Sequence, residues 1–165
     1  MGDSASGSKR QPASNEGLFR AFHEGFRWDG VAHMPYKEEG SVPFKAISRQ
    51  ILFEHRDLGC QWRYFEMDAD GYSTLERHEH MHAVMILRGH GRCLLGTEVR
   101  AIKPFDLITI PAWTLHQFRA TAAEPMGFLC MVNSERDKPQ VPTDAEIEAL
   151  RQDPAVAMFL DGRTR

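Results

Sequence analysis

Between Glu76 and His82 the chain reads Glu-Arg-His-Glu-His-Met-His, so that Glu76, His78, His80 and His82 follow one another at every second position. Side chains alternate between faces along a β-strand, and this spacing allows the four ligand-type groups to share one face, with room for slippage where the strand begins. A lone histidine is usually a half-buried polar residue. Four neighbouring groups of this kind have little structural value without a cation to pair with. A second segment, Pro104-Phe-Asp-Leu-Ile-Thr-Ile-Pro-Ala-Trp-Thr-Leu-His-Gln-Phe118, turns around Pro111 and brings His116 onto a returning strand. The chemistry implied is that of a bound metal.

The elements that must position these groups are short. Ala46–Phe53, Gln61–Met67, His82–Leu87, Arg92–Leu95, Glu98–Ile102, Leu107–Ile110, Leu115–Ala120 and Met126–Val132 read as strands. The breaks between them fall roughly every 8–12 residues: Asp68-Ala-Asp-Gly71, Gly89-His-Gly91, Gly96-Thr97, Lys103-Pro-Phe-Asp106, Pro111-Ala-Trp-Thr114 and Ala122-Ala-Glu-Pro125. Such a succession predicts an all-β sandwich or barrel over residues 44–134. Residues 1–15 are small and polar and predict a flexible tail. Residues 16–43 carry Phe19, Phe22, Phe26, Trp28 and Tyr36 without a period, which reads as an irregular arm, packed on a neighbouring surface or closing over a pocket. Residues 135–165 form a helical extension: Thr143-x-x-Glu146 has capping-box spacing, and Asp153-Pro154 caps a second segment ending at Gly162.

Composition excludes several classes. The chain has 165 residues, enough for a single domain with its own core. With 23 acidic against 20 basic residues there is no phosphate-backbone footprint, so no nucleic-acid partner is expected. No apolar run is long enough to span a bilayer, and the N-terminus has no apolar signal region. Cys60, Cys93 and Cys130 are odd in number and lack C-x-x-C spacing, which fits a reducing, cytoplasmic setting. The oddity is eight histidines, five of them between His78 and His116.

In order and spacing, the two histidine segments resemble the paired motifs of the cupin superfamily, double-stranded β-helix (jelly-roll) barrels with a metal in one mouth. The resemblance covers roughly residues 60–132 and implies that fold. Counting back from Leu87-Arg88-Gly89, it implies the ligands Glu76, His78, His82 and His116, with Glu and His exchanged relative to the usual order. A competing register uses His78, His80 and His116 and leaves Val84 at the third position. In the first register His80 stands beside the ion, either as a hydrogen-bonding neighbour or as an acid/base for substrate. Phe105 departs from the pattern, because cupins commonly have Gly there, with its freedom to take positive φ. Three imidazoles and one carboxylate suit Mn²⁺, Fe²⁺, Ni²⁺, Co²⁺ or Zn²⁺, with Lewis-acid catalysis as the natural use.

The flanks Gly25-Phe-Arg-Trp-Asp-Gly30, Pro35-Tyr-Lys-Glu-Glu-Gly40, Gly127-Phe-Leu-Cys-Met-Val-Asn133 and Glu135-Arg-Asp-Lys-Pro139 resemble a narrower bacterial group, the cupin methylsulfurylases of 1-methylthio-D-xylulose 5-phosphate. That resemblance implies a Mn²⁺ enzyme that moves the methylthio group of a sugar phosphate onto glutathione. It also implies a homodimer joined at sheet edges, with the arm before Phe44 a candidate contact. His80 is then the candidate acid. Cys130 is either a thiol that takes the methylthio group transiently or a small buried hydrophobe. Arg49, Arg63, Arg77 and Arg119 are candidate phosphate ligands on faces that the sequence leaves open. Two other classes fit the same ligands: a dioxygenase using Fe²⁺, and a non-catalytic small-molecule-binding barrel.

Overall fold

The turn residues divide the chain into strands much as their spacing predicts. A computed structural model describes residues 18–163, so the tail expected over residues 1–15 lies outside the described residues. β1 (Phe22–His23), β2 (Arg27–Trp28) and β3 (Met34–Pro35) are two-residue strands with no signature in the sequence pattern. The longer ones are β4 (Lys45–His55), β5 (Cys60–Tyr72), β6 (His82–Arg88), β7 (Gly91–Leu95), β8 (Glu98–Ile102), β9 (Leu107–Ile110), β10 (His116–Ala120) and β11 (Met126–Asn133). Two helices follow, α1 (Asp144–Leu150) and α2 (Pro154–Leu160).

Of the described residues, those up to Gly30 form one compact unit and those from Val31 a second. In the first, β1 pairs with β2 around Gly25, whose φ is +75°. Phe22 meets Phe26 and Trp28 edge-on at 5.4 and 5.5 Å between ring centroids, so these aromatics pack on one another.

In the second unit the antiparallel strands run β8-β7-β10-β5-β11-β6-β9, with β4 on β5 and β3 on β4. This is the curled, antiparallel barrel sheet expected of the fold. Its inner face buries Phe65, Met67, Val84, Ile86, Ile110, Phe118, Phe128 and Val132. Phe128 stacks between Phe118 and Phe65, with centroids 4.8 and 5.2 Å away. The break expected at Asp68–Gly71 does not end a strand. β5 runs through it to Tyr72, bending where Asp70 takes φ +62° and where the β4–β5 register slips between Lys45 and Ile47. Gly71 lies so close to the Lys45 and Ala46 carbonyls that a side chain has no room there. Among the described residues no helix is long and apolar enough to cross a membrane.

The helices close the barrel's flank for reasons written in their caps. Thr143 accepts from the Glu146 amide while the Glu146 carboxylate accepts from the Thr143 amide, a complete capping box. Asp153 caps α2, whose Val156 and Phe159 are buried against Leu94, worth about 1.5–3 kcal/mol for each side chain removed from water. Glu146 also reaches Arg77 Nη1 at 2.6 Å, tying α1 to the histidine segment.

Thr143→Ala is expected to cost about 1 kcal/mol, read as a lower thermal midpoint. The Glu146 carboxyl is held down at about 2, first by the Thr143 amide, then by Arg77 and the Thr143 hydroxyl. A carboxyl depressed in the folded state lends stability that is present above its ordinary value and lost as pH falls through the folded one. Glu146→Gln should therefore melt earlier than the parent at about pH 6 and lose that difference by about pH 2. A constant difference in melting scans across that range would refute the link.

Candidate functional site

Glu76 and Arg77 continue no strand; each makes one isolated bridge, Glu76 to His116 and Arg77 to Gln140. The His116 amide donates to the Glu76 carbonyl at 2.9 Å and the Glu76 amide to the His116 carbonyl at 3.2 Å. The Trp113 amide donates to the His78 carbonyl at 2.7 Å, so the two histidine segments are zipped by their backbones. The chain then bends at Glu79 and His80 before β6 begins at His82. The shared strand face that the spacing allows over residues 76–82 is thus absent. Local bending brings the rings together instead, with His78 stacked on His80 at 3.7 Å and on His82 at 4.3 Å, nearly parallel. His116 stands edge-on to His78 and His82 at 4.9 and 5.5 Å.

The ring protons are directed by their surroundings. His78 Nδ1 donates to the His80 carbonyl at 2.8 Å and His116 Nδ1 to the Thr114 carbonyl at 2.9 Å, which leaves a lone pair on each Nε2. His82 Nδ1 lies 3.4 Å from Cys130 Sγ. The Nε2 atoms of His78 and His82 are buried without a protein partner. Burial, then the neighbouring imidazoles, pushes His78 down to about 4 and His82 further below the ordinary histidine range; burial also lowers His116. One donor nitrogen from each of His78, His82 and His116 lies within 4.8 Å of the others. Neutral, convergent nitrogens, two of them buried without a protein partner, are what a divalent cation requires, and the residues fit one.

Glu76 is nearly buried, and its carboxylate accepts from Lys37 Nζ, which also donates to Thr74 Oγ1 at 3.2 Å. His80 Nδ1 lies 2.5 Å from Asp137 Oδ1, and Asp137 takes the Glu79 and His80 amides as well. Those contacts, the Glu79 amide first, hold the Asp137 carboxyl down at about 2. Cys130 on β11 pairs in register with Arg63 on β5 and Val84 on β6, and receives Arg63 Nη2 at 3.3 Å. Burial raises its thiol pKa, while Arg63 pulls the other way. Glu76, the four histidines, Lys37, Arg63, Cys130 and Asp137 line one cavity of about 240 Å³, together with Phe65, Phe118 and Phe128.

Of the arginines raised by the sequence, Arg49 and Arg63 line this cavity. Arg77 is engaged by Glu146, and Arg119 donates to the Leu160 carbonyl and lies over Tyr72. Cys93 is buried outside the cavity, its thiol pushed up to about 12 by desolvation. The sequence places Tyr36 in the aromatic arm, and Pro35-Tyr-Lys-Glu-Glu-Gly40 and Glu135-Arg-Asp-Lys-Pro139 carry the family resemblance, but no site role follows from it for Tyr36, Lys37, Arg136 or Asp137; the structure lines the cavity with all four.

The cupin domain family model matches residues 63–132. The chain is 57% identical over 144 residues to 1-methylthio-D-xylulose 5-phosphate methylsulfurylase of Rhodospirillum rubrum, covering 87% of this chain and 92% of that protein. A cupin 2 conserved barrel domain protein from Rhodopseudomonas palustris superposes with TM-score 0.81 at 53% identity, over 86% of this chain and 98% of that one. A cupin-2 domain structure from Rhodospirillum rubrum gives TM-score 0.79 at 56% identity, over 87% and 97%.

His78→Ala and His116→Ala should each abolish stoichiometric retention of a divalent metal, read by elemental analysis of the purified chain. Arg100→Met, on the exposed face of β8, should retain it. Full occupancy in both histidine variants would mean that the metal, if any, sits elsewhere.

Proposed function

The chain belongs to the cupin family, and from that membership and the donors in its cavity we propose a methylsulfurylase that strips the methylthio group from 1-methylthio-D-xylulose 5-phosphate. Glutathione accepts the group, and 1-deoxy-D-xylulose 5-phosphate leaves. The observation that carries this reading is the likeness to the Rhodospirillum rubrum enzyme along nearly its whole length. The side chains of the cavity support it chemically.

In this reading His78, His82 and His116 hold a divalent ion, Mn²⁺ by family resemblance, with Glu76 as the fourth ligand. The bound ion supplies Lewis-acid stabilisation to negative charge developing on the ketone oxygen of the substrate. The protein supplies the rest. The rings of Phe65, Phe118 and Phe128 exclude water from the reacting carbon. Arg63 Nη2, and His82 when its ring proton is on Nδ1, each donate toward Cys130 Sγ and favour the thiolate against the cost of burial.

Cys130 thiolate attacks the methylthio sulfur of the substrate. A sulfur–sulfur bond forms as the C1–S bond breaks, and the bonding pair passes into the enolate. His80, oriented by Asp137, delivers the proton that turns C1 into a methyl group. A glutathione thiolate then attacks the methylthio sulfur, leaving glutathione methyl disulfide and restoring Cys130. Oxygen takes no part.

Metal-loaded protein given the methylthio sugar phosphate and glutathione under nitrogen should form the deoxy sugar phosphate. No product with any divalent ion would sink the reading. Omitting glutathione should leave one methylthio adduct per chain by intact mass, absent in Cys130→Ser. Product formation by that variant at the parent's rate would remove the thiol relay and leave the overall reaction standing.

A further inference from the structure

Three guanidinium groups converge on the same cavity from different elements: Arg49 from β4, Arg63 from β5, and Arg136 from the segment after β11. Bringing like charges together inside a barrel costs free energy, and the usual remedy is a carboxylate. Among the described residues none of the three has one within ion-pair distance. Arg63 is only 9% exposed. Its Nε atom and that of Arg49 are buried with no hydrogen-bond partner. Desolvation and then Arg63 push the Arg49 pKa below its ordinary value. Desolvation followed by Arg63 does the same to Arg136, against a smaller pull from Glu54. Arg63 gains some relief 5.2 Å above the Phe65 ring.

Among the described residues Arg92 and Arg119, elsewhere on the barrel, also lack a carboxylate but lie outside this cavity and donate to the Arg163 and Leu160 carbonyls. Lys37 sits on Glu76, Arg77 on Glu146 and Arg88 on Glu66. Of the four basic side chains that line this cavity only Lys37 has a carboxylate, and the three without one reach the reacting groups through Arg63. Arg63 Nη2 is 3.3 Å from Cys130 Sγ, which is 3.4 Å from His82 Nδ1.

We propose that Arg49, Arg63 and Arg136 form an anion subsite that takes the phosphate of the sugar substrate and makes the enzyme selective for the phosphate ester over the free sugar. This rests on the methylthio sugar phosphate reading for the reacting end of the molecule. A phosphate dianion accepts from several guanidinium donors at once and offsets their mutual repulsion, which a neutral hydroxyl does not. Binding energy collected at the phosphate then holds the methylthio carbon against Cys130 and the imidazoles.

The test has two arms, one independent of turnover. In the first, inorganic phosphate is titrated into the metal-loaded protein by calorimetry. Binding should weaken about tenfold or more in Arg49→Met and Arg136→Met, be partly restored in Arg49→Lys, and stay unchanged in Arg100→Met. No binding to the parent, or equal binding to every variant, overturns the subsite. In the second, kcat/KM is compared for the methylthio sugar phosphate and its dephosphorylated form. The parent's preference for the ester should fall about 10–100-fold in Arg49→Met and Arg136→Met. A preference unchanged in the variants, or a rise in the glutathione KM alone, overturns it by assigning the arginines another role. Phosphate binding that follows the arginines without turnover of either sugar upholds the subsite and refutes the reaction instead. Circular dichroism matching the parent qualifies each variant for both arms.

Discussion

The exchange of backbone hydrogen bonds between Glu76 and His116 is the joint on which the site depends. It fastens the segment before β6 to the start of β10, and the Trp113 amide on the His78 carbonyl extends the seam. Without that seam the imidazoles belong to separate hairpins. With it, His78, His82 and His116 meet inside 4.8 Å although two of their neighbours, Glu79 and His80, lie in a bend and not in a strand. Arg77 reinforces the joint from the other side, pairing its backbone with Gln140 and its guanidinium with Glu146. Helix α1 thus helps to hold the histidine segment.

Burial has opposite consequences for the two kinds of charge in the cavity. It strips protons from the imidazoles, leaving neutral donors with Nε2 atoms that no protein group satisfies. Arginine keeps its charge at any accessible pH, so the same burial leaves Arg49 and Arg63 as cations short of counter-charge. The cavity therefore holds imidazoles short of a cation and, next to them through Cys130, guanidinium groups short of an anion. In the proposed reading a bound ion answers the first need and the phosphate of the sugar the second.

Much of the barrel was legible because its strands alternate with Gly, Pro and Asp turns. The expected Glu98–Ile102 and Leu107–Ile110 coincide with β8 and β9, and Thr143 and Asp153 cap the helices as their spacing predicted. The misreadings share one cause, which is that a local period says nothing about what a partner strand permits. Asp68–Gly71 looks like a turn, yet β5 runs through it: the β4 pairing passes from Met67 to Tyr72 across a register slip that leaves residues 68–71 out of the ladder. Residues 76–82 have the two-residue spacing of a strand face, yet the seam with residues 113–116 and the Asp137 contacts to Glu79 and His80 bend them, and the strand begins only at His82, where the sequence places it. Phe105 takes φ +73° despite its side chain, which is largely exposed.

The sequence by itself determined the type of fold, the clustering of ligand-type residues, and the class of ion that their nitrogens suit. Those follow from residue chemistry and from spacing along the chain. Only the tertiary structure decided which groups face one another. Lys37 meets Glu76, Asp137 meets His80, and Arg136 joins Arg49 and Arg63, each pair being brought in by segments remote in sequence. Burial and charge are properties of neighbours in space, and in a barrel of non-local pairings the curvature of the sheet chooses those neighbours.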